Sequence, residues 1–331
     1  MLRKKYILYV LLVTFGFVAG VLAKHLFYIK RRMASADQQP IREGRHNFKF
    51  INPLLVVGDR AALRRANIEQ PIQASVEQSK EAGLATSISV YFRDLESGEW
   101  AGVNESEKYA PASMYKVAIL IAYLKEAGTN PNLLSSTIEY RGAVPLKYGN
   151  ESDTSPYPIE KGKEYLIDDL LGRMIIYSDN NAKDLLYDAL NKDTLKGVFT
   201  DLGLGTIDEN NPGDTMSAKS FSLFFRVLYN ASYLTRGFSE VALSLLARTT
   251  FDGGLEAGVP QTVVVADKFG YRAVEQGVPE EELHDCGIIY YPNHPYLLCI
   301  MTRGKTTLDL AKAIQDISRV AYQERAAEFK H

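Results

Sequence analysis

Two cysteines, Cys286 and Cys299, stand in 331 residues, so the chain has neither a disulfide framework nor a thiolate cluster for a metal. Whether these two pair with each other is left open by their spacing. The five histidines (His25, His46, His284, His294, His331) are scattered, without the helical spacing of a zinc site, and no metal or other cofactor is expected. Positive charge is also scarce beyond the first 32 residues. That opening stretch holds seven Lys/Arg and no Asp/Glu, whereas in the remainder 31 basic residues face 40 acidic ones, a net of −9. A negative domain of this kind is a poor nucleic-acid binder.

Apolar residues are plentiful. At 46% hydrophobic content the chain can bury one substantial core or two smaller ones. Residues 6 to 23, YILYVLLVTFGFVAGVLA, carry no charge for 18 positions, the lower limit for a membrane-spanning helix. Basic residues flank both ends, so the positive-inside rule says little about orientation. Val21-Leu22-Ala23 offers small residues for signal-peptidase cleavage, but the apolar run exceeds a usual signal-peptide core, and an uncleaved anchor over residues 1–32 is the expectation. Residues 33–70 are polar and read as a tether, with a folded domain over 71–331.

In that domain a helix-like stretch ends at Gly83, and "TSISVYFRDL" alternates Ile88, Val90 and Phe92 with more polar residues before "ESGE" turns and "WAGVNE" returns, which predicts a hairpin. Helical periods then dominate to about residue 250; "YLIDDLLGRMII" places Ile167, Leu170, Leu171 and Met174 at i, i+3, i+4, i+7. Strand patterns resume in "QTVVVADKFG", "DCGIIYYP" and "YLLCIMTRG", and "TLDLAKAIQDISRVAYQERA" closes as a helix. The expectation is an α+β domain. One antiparallel sheet comes from both ends of the sequence, flanked by helices, with an all-helical subdomain over about 113–250 inserted between its second and third strands. A cleft between the two parts is the natural site.

Three short patterns lie at that junction. Ser113 is the only serine with a lysine three residues later, Lys116, and residues three apart share a helix face, so the amine can reach the hydroxyl. Apolar neighbours from Val117 to Ile121 imply burial, which would favour a neutral amine able to act as a base. Alone, the pattern reads more readily as an N-cap serine and a surface lysine. Ser178-Asp179-Asn180 follows 65 residues later on a connector between two helices, where a simple N-cap cluster is the plain alternative. Lys268-Phe269-Gly270 comes 90 residues after Ser178 at the end of an apolar strand, with a glycine that admits close backbone approach by a ligand. Lys147-Tyr148-Gly149 shows how readily Lys-x-Gly recurs.

In this order and context the chain resembles the class A β-lactamases and related penicillin-binding serine peptidases, over roughly residues 71–331 and including "DTMS", Asp214 to Ser217. The resemblance implies that Ser113 attacks a carbonyl with Lys116 as base or relay, that Ser178 passes a proton to the leaving nitrogen, and that Asn180 holds a substrate amide. It further implies that Lys268 attracts the substrate carboxylate, and that the oxyanion hole is formed by the backbone N–H groups of Ser113 and Tyr271, beside Gly270. Its substrates would be β-lactams or D-Ala-D-Ala-like peptides of the cell wall, met by a monomer outside the cytoplasm.

Two departures qualify this. No Glu-x-x-Leu-Asn lies between Asn180 and Lys268, and the 36 residues from Ser178 to Asp214 leave a truncated omega loop in which Glu209 is the nearest candidate deacylation base. Phe269 replaces a usual Thr or Ser, removing a hydroxyl that helps bind the substrate carboxylate, for which Arg272 could compensate. A catalytically silent cell-wall-binding or scaffold domain with the same fold is the competing expectation, and glutaminases and esterases share the serine–lysine logic.

Overall fold

Val117 to Leu124 are apolar almost without interruption, and a helix apolar all round must be buried on every side. In the computed structural model it is: helix α2, Lys116–Ala127, runs through the interior with every residue from Val117 to Leu124 essentially inaccessible. The structure describes residues 40–45, 48–56, 67–142, 156–205, 215–274 and 280–329, together with four positions between 16 and 24. Almost all of the apolar run at 6–23 therefore lies outside the described residues. Among the described residues no helix is long and apolar enough to cross a membrane.

A short ribbon of β1 (Ile41–Arg42) and β2 (Leu54–Val56) precedes helix α1, Glu69–Glu81, which Gly83 ends at φ +74. Part of the 33–70 segment is packed onto the body. Ile51 is fully buried, and Glu240 accepts the backbone N–H groups of Lys49, Phe50 and Ile51 at 2.8–3.1 Å. The hairpin is β3 (Ser87–Asp94) with β4 (Trp100–Val103), and it joins β9 (Val265–Val274), β10 (Glu280–Ile289) and β11 (Tyr296–Gly304) in one antiparallel sheet. The strand order is β4-β3-β11-β10-β9, so both ends of the chain build the sheet and β9 is an edge.

Both faces of this sheet are covered. Ile88, Val90 and Phe92 of β3 pack in a core with α1 and with the closing helix α8, Thr307–Glu328, while Tyr91 faces the other core around α2. Ser89 and Arg93, read as the polar half of an alternation, are therefore buried as well. The inserted region holds α3 (Ile167–Ile176), α4 (Asn180–Ala189), α5 (Lys192–Asp201), α6 (Ala218–Tyr229) and α7 (Arg236–Leu246). Ile167, Leu170, Leu171 and Met174 are all buried, as their period requires. The insertion is not wholly helical. Strand β5 (Lys108–Tyr109) pairs with β8 (Met216–Ser217), and β6 (Thr137–Glu139) with β7 (Glu164–Leu166). Such two- and three-residue strands are too short for an alternation to appear in the sequence.

The two cysteines face each other across β10 and β11 and are joined as a disulfide. Nearby lies a buried pair of acids. Asp267 Oδ1 accepts the Thr249 hydroxyl at 2.8 Å and Asp285 Oδ2 the Leu255 N–H at 2.7 Å, while Asp267 Oδ2 and Asp285 Oδ1 meet no other donor. One proton shared between the two carboxyls would satisfy both remaining oxygens. Burial pushes Asp267 up to about 6 and Asp285 well above the ordinary carboxyl range, the latter further because the Asp267 charge opposes its ionisation. The folded protein thus holds protons that the unfolded chain has released. Stability contributed below the ordinary carboxyl pKa is lost as pH rises through about 6 and beyond. Asp285→Asn, an isostere of the protonated acid, is expected to flatten the fall in melting temperature above pH 6; an unchanged profile in that variant would refute the shared proton.

Candidate active site

The approach to Ser113 is bent sharply. After Tyr109 the chain passes Ala110 and Pro111, takes a positive φ of 47° at Ala112, and makes one turn of 3-10 helix, Ala112–Tyr115, before α2 begins at Lys116. A non-glycine residue in the left-handed region costs on the order of 1–3 kcal/mol and persists only where surrounding contacts fix it. Ser113 is not an N-cap. Pro111 occupies that position, and the buried Ser113 Oγ accepts from Lys116 Nζ at 3.0 Å. Lys116 is equally far from a surface lysine, at 2% exposure, because α2 enters the core at its first residue.

Ser178 has a second left-handed backbone, φ 56°, in the connector between α3 and α4. Asp179 does cap α4, its Oδ1 accepting the Ala182 N–H at 2.8 Å, so the plain reading of this motif holds for its middle residue. Its neighbours turn inward. Lys116 Nζ donates to Ser178 O at 2.6 Å, Ser178 Oγ at 2.9 Å and Asn180 Oδ1 at 2.7 Å. From the other side Lys268 Nζ, fully buried on β9, reaches Ser178 Oγ at 3.1 Å. When both ammonium groups donate to that oxygen, the Ser178 hydrogen must point elsewhere and is available to a substrate. Side chains drawn from three distant stretches of the sequence thus form one hydrogen-bonded line, Ser113–Lys116–Ser178–Lys268.

Gly270 admits a segment of the chain itself. A Cβ there would stand 2.7 Å from the Pro111 carbonyl oxygen and 3.3 Å from the Ala112 Cβ, so the missing side chain lets β9 pass against the Ser113 turn itself. This brings β9, the last strand in the sheet order, against the turn that carries Ser113, with Tyr271 the next residue along the strand. The Phe269 ring stacks on Phe251 with centroids 4.2 Å apart, and its own centroid lies 4.1 Å from Lys268 Nζ. Arg272 donates to Glu282 Oε2 at 3.0 Å, and Arg303 holds the other oxygen at 2.7 Å. Burial opposes the Glu282 charge, yet the nearby His284 imidazole and the two guanidinium groups hold its carboxyl down to about 2. The candidate base Glu209 and Asp214 lie outside the described residues. His284, Glu282 and the acid pair surround the site without any sequence signal, since isolated polar residues in apolar strands follow no pattern.

A five-stranded antiparallel sheet between helices, with a buried lysine beside a serine at the start of the central helix, defines a β-lactamase-like serine hydrolase. The chain belongs to the Beta-lactamase enzyme family, whose model matches residues 67–325. Its fold is similar to that of PBP-A, with TM-score 0.66 at 24% identity over 80% of this chain and 98% of the other. A beta-lactamase from Burkholderia phymatum superposes with TM-score 0.65 at 20% identity, covering 78% and 99% of the two chains. A class A beta-lactamase from Bacteroides cellulosilyticus gives 0.67 at 19%, covering 80% and 100%.

Proposed function

We propose that the protein forms an acyl-enzyme at Ser113 with β-lactams or with D-Ala-D-Ala-like peptides. The observation that carries this reading is the single amine, Lys116 Nζ, lying 3.0 Å from Ser113 Oγ and 2.9 Å from Ser178 Oγ. In its neutral form Lys116 takes the Ser113 proton as the oxygen attacks the carbonyl carbon. The proton then passes through Ser178 to the leaving nitrogen as the amide bond breaks. The backbone N–H groups of Ser113 and Tyr271 receive the oxyanion, Asn180 holds a substrate amide, and Lys268 adds positive charge behind Ser178. Because the Phe269 ring covers Lys268, Arg272, one turn of the pleat beyond Gly270 and held by Glu282, is the better-placed partner for a substrate carboxylate. An acyl-enzyme complex with penicillin G is known for a point mutant of PBP-A, which supports the same chemistry on this fold.

The covered Lys268 favours one competing reading, a silent cell-wall-binding domain. A fluorescent penicillin separates the two: covalent label at Ser113 is expected, and no label with either penicillin or a D-Ala-D-Ala ester would leave the silent domain. The apolar run at 6–23 further supports a single membrane anchor, from which the catalytic domain would extend outside the cytoplasm. Protease added to spheroplasts should then digest residues 33–331; full protection until lysis would place the domain inside.

A further inference from the structure

His284 lies outside the proton path yet touches the turn that aims Ser113. It sits on β10 opposite Gly270 of β9 and Met301 of β11, with no exposed surface. The Thr302 backbone N–H donates to its Nδ1 at 3.2 Å, which assigns the ring proton to Nε2, and Nε2 in turn donates to the Ala110 carbonyl at 3.0 Å. Tyr109 meets the ring edge-on at 5.3 Å and restricts its rotation. The Glu282 carboxylate lies 3.8 Å from Nε2 and is paired with Arg272 and Arg303.

Between Ala110 and Ser113 stand only Pro111, which has no N–H to donate, and Ala112 in its left-handed conformation. A strained turn keeps its geometry when both sides are held. Gly270 lets β9 press on it from one side, and the Met114 N–H closes it onto the Pro111 carbonyl at 3.0 Å. The entry to the turn is held by His284. We propose that His284 is a positioning residue for Ser113, fixing through the Ala110 carbonyl the start of the Ala112–Ser113 turn and hence the line along which Ser113 Oγ meets an acyl carbon. The proposal rests on the reading of Ser113 as nucleophile.

Two amide variants divide the two bonds of the imidazole. Asn at 284 can accept from Thr302 as Nδ1 does but is too short to reach Ala110, whereas Gln can reach Ala110 and gives up Thr302. Acylation by a fluorescent penicillin is followed by rapid mixing, together with amide hydrogen exchange over residues 110–116, which needs no substrate. H284N is expected to slow the acylation step roughly 10- to 100-fold with the preceding binding constant unchanged, and to speed exchange in the turn, while H284Q stays within about threefold of wild type. The reverse order, or equal rates in the two variants, overturns the proposal, because a role confined to the sheet through Thr302 predicts one or the other. Should H284N not fold, exchange in H284Q decides: wild-type protection of the turn supports the proposal and lost protection overturns it. If wild type itself takes no label, the reading of Ser113 fails, and the exchange comparison still decides whether His284 holds the turn.

Discussion

Ser113→Ala is expected to abolish covalent labelling by penicillin while the protein remains folded. The reasoning starts from Lys116, which lies in reach of four acceptors: Ser113 Oγ, Ser178 O, Ser178 Oγ and Asn180 Oδ1. Removing the Ser113 hydroxyl takes away one of them and leaves three, so the loss of stability should be about 1 kcal/mol. No N-cap energy is lost, because Pro111 and not Ser113 stands at the N-cap of this turn. Label that persists in the alanine variant, located elsewhere by peptide mapping, would end the nucleophile assignment. Lys116→Ala should depress acylation as severely, since an unassisted serine is almost entirely protonated near neutral pH. That variant should also be the less stable of the two, because it deprives the buried Ser178 and the half-buried Asn180 acceptors of a donor, at about 1–3 kcal/mol. Wild-type acylation by Lys116→Ala across roughly pH 6 to 9 would exclude lysine as the base.

Penicillin turnover should show a stoichiometric burst followed by near silence. Between Asn180 and Lys268 the sequence has no Glu-x-x-Leu-Asn, and the stretch leading to Asp214 is short, so water must attack the acyl-enzyme without a placed carboxylate. Losing a general base of that kind slows the step on the order of 10²- to 10⁴-fold. Glu209 is the nearest candidate in the truncated loop to restore it. Following penicillin hydrolysis by wild type and Glu209→Gln in parallel distinguishes the cases. Slow turnover in both is the expected result. Fast wild type with a stalled variant would make Glu209 a relocated base, and rapid multiple turnover in both would refute slow deacylation altogether.

The sequence by itself determined the longer elements and their order, though not the two- and three-residue strands. The period of Ile167, Leu170, Leu171 and Met174 fixed which face of α3 is buried, the hairpin of β3 and β4 followed from alternation around a turn, and both ends of the chain were legible as strands of one sheet. Ser113 and Lys116 were legible as a pair for the same reason, since three positions on a helix are close whatever the rest of the chain does. Motif order then joined Ser178, Asn180 and Lys268 to them, but only as a resemblance. What links those side chains by successive contacts of 3.1 Å or less is tertiary: β9 runs along the edge of the sheet, the α3–α4 connector folds back over it, and two left-handed residues, Ala112 and Ser178, turn the backbone where no glycine announces a turn. Gly270 shows the same division. A glycine's missing side chain is visible in sequence, but what fills its place is decided by whichever segment packs there, and here that segment is the turn carrying Ser113. The bond of His284 to Ala110, across 174 positions, and the shared proton of Asp267 and Asp285 belong wholly to the fold, because a buried polar group finds its partner through packing between distant strands and loops, and no local pattern encodes that distance.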